Sequence, residues 1–267
     1  MDGLMDTKKR KTSLSNTRHD TLSCFVLGRL TKQNERQESM TKSEANKLVG
    51  GLSNPSKMPC KSYGLDPKKC NVGSKLRTVK NSTCSKCYAC KGMYVFPSVQ
   101  NAFVRRLDSM SDLGVWVENM ICAIGKDPYF RWHDAGDIQS IDHLLAIVSI
   151  AEAMPSTRFW IPTRENGIVR QYMMEHGEFP ENLCVRLSAT MIDGEPSAYA
   201  DNTSSVHKDF AHYGDACQAY RTSKNGDQIS DESFHALPKG HGLDLGHCGD
   251  CRKCWDKDIV NVSYGLH

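Results

Sequence analysis

The stretch Tyr129–Arg164, YFRWHDAGDIQSIDHLLAIVSIAEAMPSTRFWIPTR, decides the fold. It reads as strand, polar loop, amphipathic helix, strand, polar loop. Phe130 and Trp132 alternate with Tyr129 and Arg131, a pattern of aromatic and β-preferring residues that suits a short strand. From Ile141 a helix places Ile141, Leu144, Leu145, Val148 and Ala151 on one stripe at spacings of three and four. Pro155 ends it, and Arg158–Ile161 opens the next strand. A strand–helix–strand unit of this kind requires parallel strands joined by a right-handed crossover. The clusters His133-Asp134-Ala135-Gly136-Asp137 and Pro162-Thr163-Arg164 then fall at the carboxyl ends of neighbouring strands, where parallel α/β folds place their chemistry. Two carboxylates and a histidine in five residues exceed what a loop needs for solubility, although Asp134 or Asp137 could instead cap the helix that follows.

Outward from this unit, 267 residues suffice for a good core, in one large domain or two small ones. A net charge of +3 gives no global field from which a nucleic-acid partner could be read. No run approaches the roughly 18 apolar residues of a transmembrane helix, so no membrane partner is expected. The basic run Lys8–Lys11 has no apolar segment and small-residue cleavage site after it, so no secretory signal is expected.

Twelve cysteines are the informative count, because most fall in two segments. Cys60, Cys70, Cys84, Cys87 and Cys90 lie in one, and Cys217, Cys248, Cys251 and Cys254 in the other, while Cys24, Cys122 and Cys184 stand apart. Two runs of Cys-x-x-Cys-x-x-Cys in a chain without a signal point to metal in a reducing compartment, hence to the cytoplasm, and not to disulfides. Closely repeated thiolates converge on one centre in iron–sulfur proteins. Zinc accepts the same residues when a fourth ligand arrives from elsewhere. Cys84, Cys87 and Cys90 form the first candidate set and Cys248, Cys251 and Cys254 the second, with Cys60, Cys70, Cys217 and His267 as further ligand candidates.

Residues 1–44 are polar and charged and read as a flexible basic arm before a single α/β metal-binding domain over 45–267. From Asn46 to Lys80 there is little periodicity, and a long loop tied down by Cys60 and Cys70 is expected. Helices follow over about 97–110, burying Val99, Phe103, Leu107 and Met110, and about 112–124, burying Leu113, Val117, Met120 and Ile124. Trp116 is a further core candidate. After the central unit, Asn166–His176 reads as a helix and Asn182–Ser188 as a strand that points Arg186, like Arg164, towards the active edge. Periodicity fades from Ala189 to His247. There is no P-loop and no G-x-G-x-x-G.

The segments PCKSYGLDPKKC, STCSKCYACKGMY, FRWHDAGDIQS, FWIPTRE, ENLCVRLSATM and CGDCRKCWDKDIVNVSYGLH resemble, in order, those of the phage gene product 88 family, over about Asn46–His267. That resemblance implies a phage or prophage setting, hence a host-cell cytoplasm, more than a reaction. Two further superfamilies share parts of the pattern. The order cysteine cluster, helix, glycine-acid loop, helix and a strand ending in Thr-Arg is similar to the first half of a radical S-adenosylmethionine barrel. Carried across, Cys84, Cys87 and Cys90 would hold a [4Fe–4S] cluster and Gly136-Asp137 would bind S-adenosylmethionine, although the first cysteine spacing is two residues where that superfamily has three. Cys70 or Cys60 could then be the first ligand. More weakly, Asp134–Gln139 resembles the active-site loop of tRNA-guanine transglycosylases, and Cys248, Cys251, Cys254 and His267 their structural zinc site.

The expectation is a partial or modified (β/α) barrel of parallel strands with cysteine-rich metal sites at one edge. The leading function is a metalloenzyme modifying a nucleic-acid base or nucleotide by radical S-adenosylmethionine-like chemistry. His133, Asp134 and Asp137 would bind cofactor or move protons, and Thr163, Arg164 and Arg186 would hold carboxylate or phosphate groups. The alternatives are a zinc-containing transglycosylase that exchanges guanine for a deazaguanine in DNA, and a zinc-stapled DNA-binding or interaction module without catalysis.

Overall fold

Seven parallel strands form one sheet in the computed structural model, which describes residues 40–208, 213–238 and 242–266. Thr41–His267 make one compact unit; of the other, Met1–Met40, only the last residue is described, so the expected arm, including Lys8–Lys11 and Cys24, lies outside the described residues, as does His267. The strands are β1 (Lys61–Tyr63), β2 (Tyr129–Trp132), β3 (Arg158–Thr163), β4 (Leu183–Ile192), β5 (Thr203–His207), β6 (Asp215–Ala216) and β7 (Asn261–Gly265). Their order in the sheet is β1-β2-β3-β4-β5-β7-β6.

The β2–β3 unit stands where the pattern puts it, with the helix α5 (Ile141–Ala153) between its strands. The other main helices are α1 (Lys42–Leu48), α2 (Asn71–Leu76), α3 (Pro97–Ser109), α4 (Leu113–Ile124) and α6 (Asn166–His176), with a short α7 (Asp231–His235) later. Because β1 to β4 follow chain order, right-handed crossovers bring their helices to one face. Accordingly α1 packs on α4, α4 on α5 and α5 on α6. Phe130, Trp132, Phe159 and Ile161 are buried, and Trp116 of α4 meets Tyr63 and Trp132 edge-on or tilted, with ring centroids 5.6 and 5.7 Å away. On the opposite face of this half of the sheet the 3₁₀ turn Lys253–Trp255 packs against β3 and β4. Arg131, Trp160 and Cys184 stand in register across β2, β3 and β4 on that face, and the Cys254–Trp255 segment covers part of it.

The sequence of strands is that of a barrel core, but the sheet does not close: among the described strands β1 and β6 end it. The expected loop over Asn46–Lys80 contains β1 and α2, and α1 begins at Lys42 inside the expected arm, its start fixed by the capping box of Thr41 and Glu44. The tract from Ala189 contains β5, and β7 follows near the end; polarity hides both. Their buried residues include Thr203, Ser204, Ser205, Asn261 and Ser263, which satisfy one another: Thr203 Oγ1 donates to Asn261 Oδ1 (2.9 Å) and Asn261 Nδ2 to Ser205 Oγ (3.0 Å). On α3 the buried residues are Phe103 and Arg106, with Leu107 and Met110 only partly covered. No helix of the described residues is long and apolar enough to cross a membrane.

Candidate functional site

The carboxyl ends of the strands open into a cavity of about 670 Å³. Its wall includes His133, Asp134, Gly136 and Asp137 from the loop after β2, Arg164 after β3, and Ser188, Ser204, Val206 and Tyr264 from β4, β5 and β7. Both cysteine segments reach it, Cys70, Cys84 and Cys87 from one and Cys217, Cys248 and Cys254 from the other.

Two side chains of the His133–Asp137 loop do different work. Asp137 is 5 % exposed, and its carboxylate accepts from Thr163 Oγ1 (2.6 Å), Ile138 N (2.9 Å) and Arg164 N (2.9 Å). It ties the end of β2 to the end of β3. Burial pushes its pKa up to about 6, against the lowering effect of those three donors. Thr163 also accepts from Glu165 N (3.0 Å), and does not line the cavity. Asp137 and Thr163 thus brace the ends of β2 and β3 together, Asp137 on the cavity lining and Thr163 off it. Asp134 faces the cavity with its carboxylate held by Ser62 Oγ (2.9 Å) and Tyr94 OH (3.2 Å), while Tyr88 OH donates to its backbone carbonyl. Neither aspartate caps α5: Ser140 does, accepting from His143 N (3.1 Å).

His133 is 3 % exposed, has φ of 54°, and neither ring nitrogen has a partner. Burial, then the neighbouring His143 ring 5.4 Å away, holds its pKa well below the usual histidine range, so it stands neutral at the cavity wall. Gly136 has φ of 80°, and a Cβ there would come 2.7 Å from the carbonyl oxygen of Leu65. The glycine is required by the close approach of the segment after β1, and it also lines the cavity.

Arg186 corrects the expectation most clearly. It is fully buried, and its guanidinium donates to the carbonyls of Cys254 (3.0 Å), Lys253 (2.9 Å), Asp256 (2.5 Å), Thr203 (3.2 Å) and Ile259 (2.8 Å). Those donors fold the second cysteine run onto β4 and leave none for an incoming anion. The first run hangs on the same strand: Thr83 Oγ1 donates to the carbonyls of Ala189 (3.3 Å) and Thr190 (3.2 Å), and Ile192 N to Asn81 (2.9 Å).

The eleven cysteines of the described residues are free thiols. Cys70 Sγ and Cys84 Sγ lie 3.6 and 3.5 Å from where a Cβ would stand on Gly73, so a glycine makes room between them. Cys60, Cys217 and Cys254 pack in one cluster with Trp160, Trp255 and Tyr264, and Cys254 Sγ is 3.0 Å from Tyr264 OH. Cys90, Cys251 and Cys60 stand outside the cavity lining. Burial pushes Cys60 up to about 12 and Cys217 to about 11, and raises Cys70, Cys84, Cys248 and Cys254 as well. Without a metal these thiols hold their protons. Among the described residues, no three or more His, Cys, Asp or Glu side chains surround a point where one ion could sit. The expected closed, zinc-type cysteine sites are thus not formed in these side-chain positions.

Arg106, Arg131 and Tyr94 escaped the sequence reading as site or scaffold residues. Arg106 is buried and donates to the carbonyls of Gly51 (2.7 Å) and Gly64 (2.8 Å) and to Ser53 Oγ (2.9 Å). Its place on the buried stripe of α3 was the available signal.

The sequence pattern described as Gene product 88 matches residues 28–257. The chain belongs to the gene product 88 family. Within the matched span lie both cysteine runs and β1 to β6 of this gene product 88 chain, while β7, which supplies Tyr264 to the cavity, follows it. No curated protein and no solved structure matches the chain.

Proposed function

We propose that this gene product 88 chain is a metalloenzyme that modifies a nucleic-acid base or nucleotide, with an iron–sulfur centre and S-adenosylmethionine as its cofactors. The observation that carries the reading is the meeting of two cysteine runs, remote in sequence, at one cavity on the carboxyl edge of a parallel sheet. The donor chemistry fits: free thiols, close-spaced in the chain, with Gly73 leaving open the space beside the sulfurs of Cys70 and Cys84. Cys70, Cys84 and Cys87 are the preferred ligands of the first centre, since Cys90 lies off the cavity lining. Such a centre, when bound, would supply a single electron for cofactor cleavage.

The chain's own residues do the rest. Asp134, steadied by Ser62 and Tyr94, presents a carboxylate that can take a hydrogen bond from an amino or hydroxyl group or move a proton. Neutral His133 offers one donor and one acceptor. A volume of about 670 Å³ accommodates a nucleotide-sized ligand, and a base within a duplex would have to be extruded to enter.

Protein purified without oxygen is expected to be brown and to contain iron and sulfide. Replacing Cys70, Cys84 and Cys87 together with alanine should remove that colour in whole or in part. Colourless wild-type protein with stoichiometric zinc and no iron would sink the proposal and favour the transglycosylase reading.

A further inference from the structure

Arg106 and Arg186 are buried arginines whose guanidinium groups are held at every nitrogen. Arg186 and Arg106 each hand their donors to backbone carbonyls or a serine hydroxyl. Arg131 differs. It leaves β2 on the face that carries Trp160 and Cys184 and lines the cavity, with its guanidinium carbon 4.5 Å from the centre of the Trp160 ring. Among the described residues its guanidinium donates only to two uncharged groups, the weak acceptor Met58 Sδ at 3.2 Å and Tyr88 OH at a long 3.4 Å. Its Nε is buried with no partner, and among the described residues it makes no ion pair with a carboxylate. A half-buried guanidinium whose Nε is buried without a partner favours an answering anion.

The surroundings carry the same deficit. Trp160 Nε1, Arg164 Nε and both ring nitrogens of His133 are also buried without partners, and all three residues line the cavity. His133 is 97 % covered by that measure, being 3 % exposed. Apart from the histidine, which can do either, these groups are donors, so what is missing is an acceptor-rich, negatively charged group.

We propose that Arg131 is the centre of an anion-binding subsite in this cavity, taking the carboxylate or phosphate of a small ligand, with Trp160 and His133 as neighbouring hydrogen-bonding groups. The subsite rests on the cavity being the binding site of the proposed function, but it needs no particular metal. The anion can be the phosphate of a nucleotide or the carboxylate of an amino-acid-like cofactor, two sources of one chemistry.

The test uses full-length protein, purified anaerobically with whatever metal it carries. Thermal melts and calorimetry are run with inorganic phosphate, with adenosine 5′-monophosphate against adenosine, and with L-methionine against L-methioninamide. In at least one pair only the anionic member should raise the melting temperature and release heat; the first pair assigns a nucleotide phosphate, the second a carboxylate. Arg131→Gln should weaken that binding roughly tenfold or more, and Arg131→Lys should recover part of it. No binding of any anionic probe to the wild type overturns the proposal, and this arm requires no variant to fold. A loss smaller than tenfold in folded Arg131→Gln overturns it too. Metal analysis of the same samples separates the two readings: zinc-loaded, iron-free protein that still binds the anion through Arg131 removes the iron–sulfur function and keeps the subsite.

Discussion

Asp134 and Asp137 are three residues apart in one loop, yet the same substitution should do different things to them. Asp137 takes two backbone N–H groups and one hydroxyl from three directions, and an asparagine would turn an NH2 towards one of those donors. Asp137→Asn is expected to cost roughly 1–3 kcal/mol in urea denaturation. Among the described residues the Asp134 carboxylate is held by the hydroxyls of Ser62 and Tyr94, which can rotate and accept, so Asp134→Asn should cost less than about 1 kcal/mol while abolishing any proton-moving role. The sequence singled out this loop, but hydrogen-bond geometry was needed to tell its bracing carboxylate from the more loosely held one. The histidines add a pH dependence. Burial pushes His143 down to about 3 and His133 also down, so below the ordinary histidine range the unfolded chain takes up protons that the folded chain refuses. Stability should be full above about pH 6.5 and fall as pH drops below it, by up to about 1.4 kcal/mol per pH unit for each ring. Asp137, raised to about 6, works the other way between its ordinary value and that pH, and offsets part of one ring's effect. His143→Gln keeps an acceptor for Gln139 N and should flatten the slope between pH 5 and 6.5 by about one proton, measured as urea midpoints across pH.

At the scale of elements, β4 is the organiser. It is the fourth of seven strands in the sheet, and both cysteine runs are fastened to it: the first through Thr83 and Asn81 beyond its bulge, the second through Arg186. Arg186→Met would leave the carbonyls of Lys253, Cys254, Asp256 and Ile259 in need of partners, and a loss of upwards of about 3 kcal/mol is expected, seen as a lower urea midpoint and a weakened hold on any metal at the second run. Were Arg186 an anion ligand, stability would hardly change and only binding would suffer. The strand itself was legible, from NLCVRLS and the turn before it. Its task was not, because a buried arginine reads the same in sequence whether it meets a phosphate or five carbonyls. α3 teaches the same lesson through Arg106, whose charge disguised a buried position on an otherwise correctly read helix.

Across the whole molecule, the parallel βα half of the fold could be read because its strands are aromatic and its helices periodic, whereas β1, β5 and β7 could not. β5 and β7 bury serine, threonine and asparagine in mutual hydrogen bonds, and β1 is only three residues long with Ser62 bonded to Asp134, whereas periodicity arguments see only apolar faces. The meeting of the two cysteine runs is likewise a property of the folded chain alone. The inserted position of β7, between β5 and β6, makes a prediction at this scale. Removing the residues from Asn261 onward should strip β6 of its only strand neighbour, remove Tyr264 from the cavity and leave β5 with an unpaired edge, so the shortened chain is expected to aggregate on size-exclusion chromatography. The same arrangement bears on the order of assembly. β5 precedes its partner β7 by more than fifty residues, with the second cysteine run in between, so the last gap in the sheet closes only after that run has been threaded past it. Closure of so long a loop is entropically late. A folding intermediate with β1 to β5 in place would therefore show a half-built sheet and an open thiol-lined trough at the same time, which makes that interval the moment at which those thiols are most exposed to oxidation.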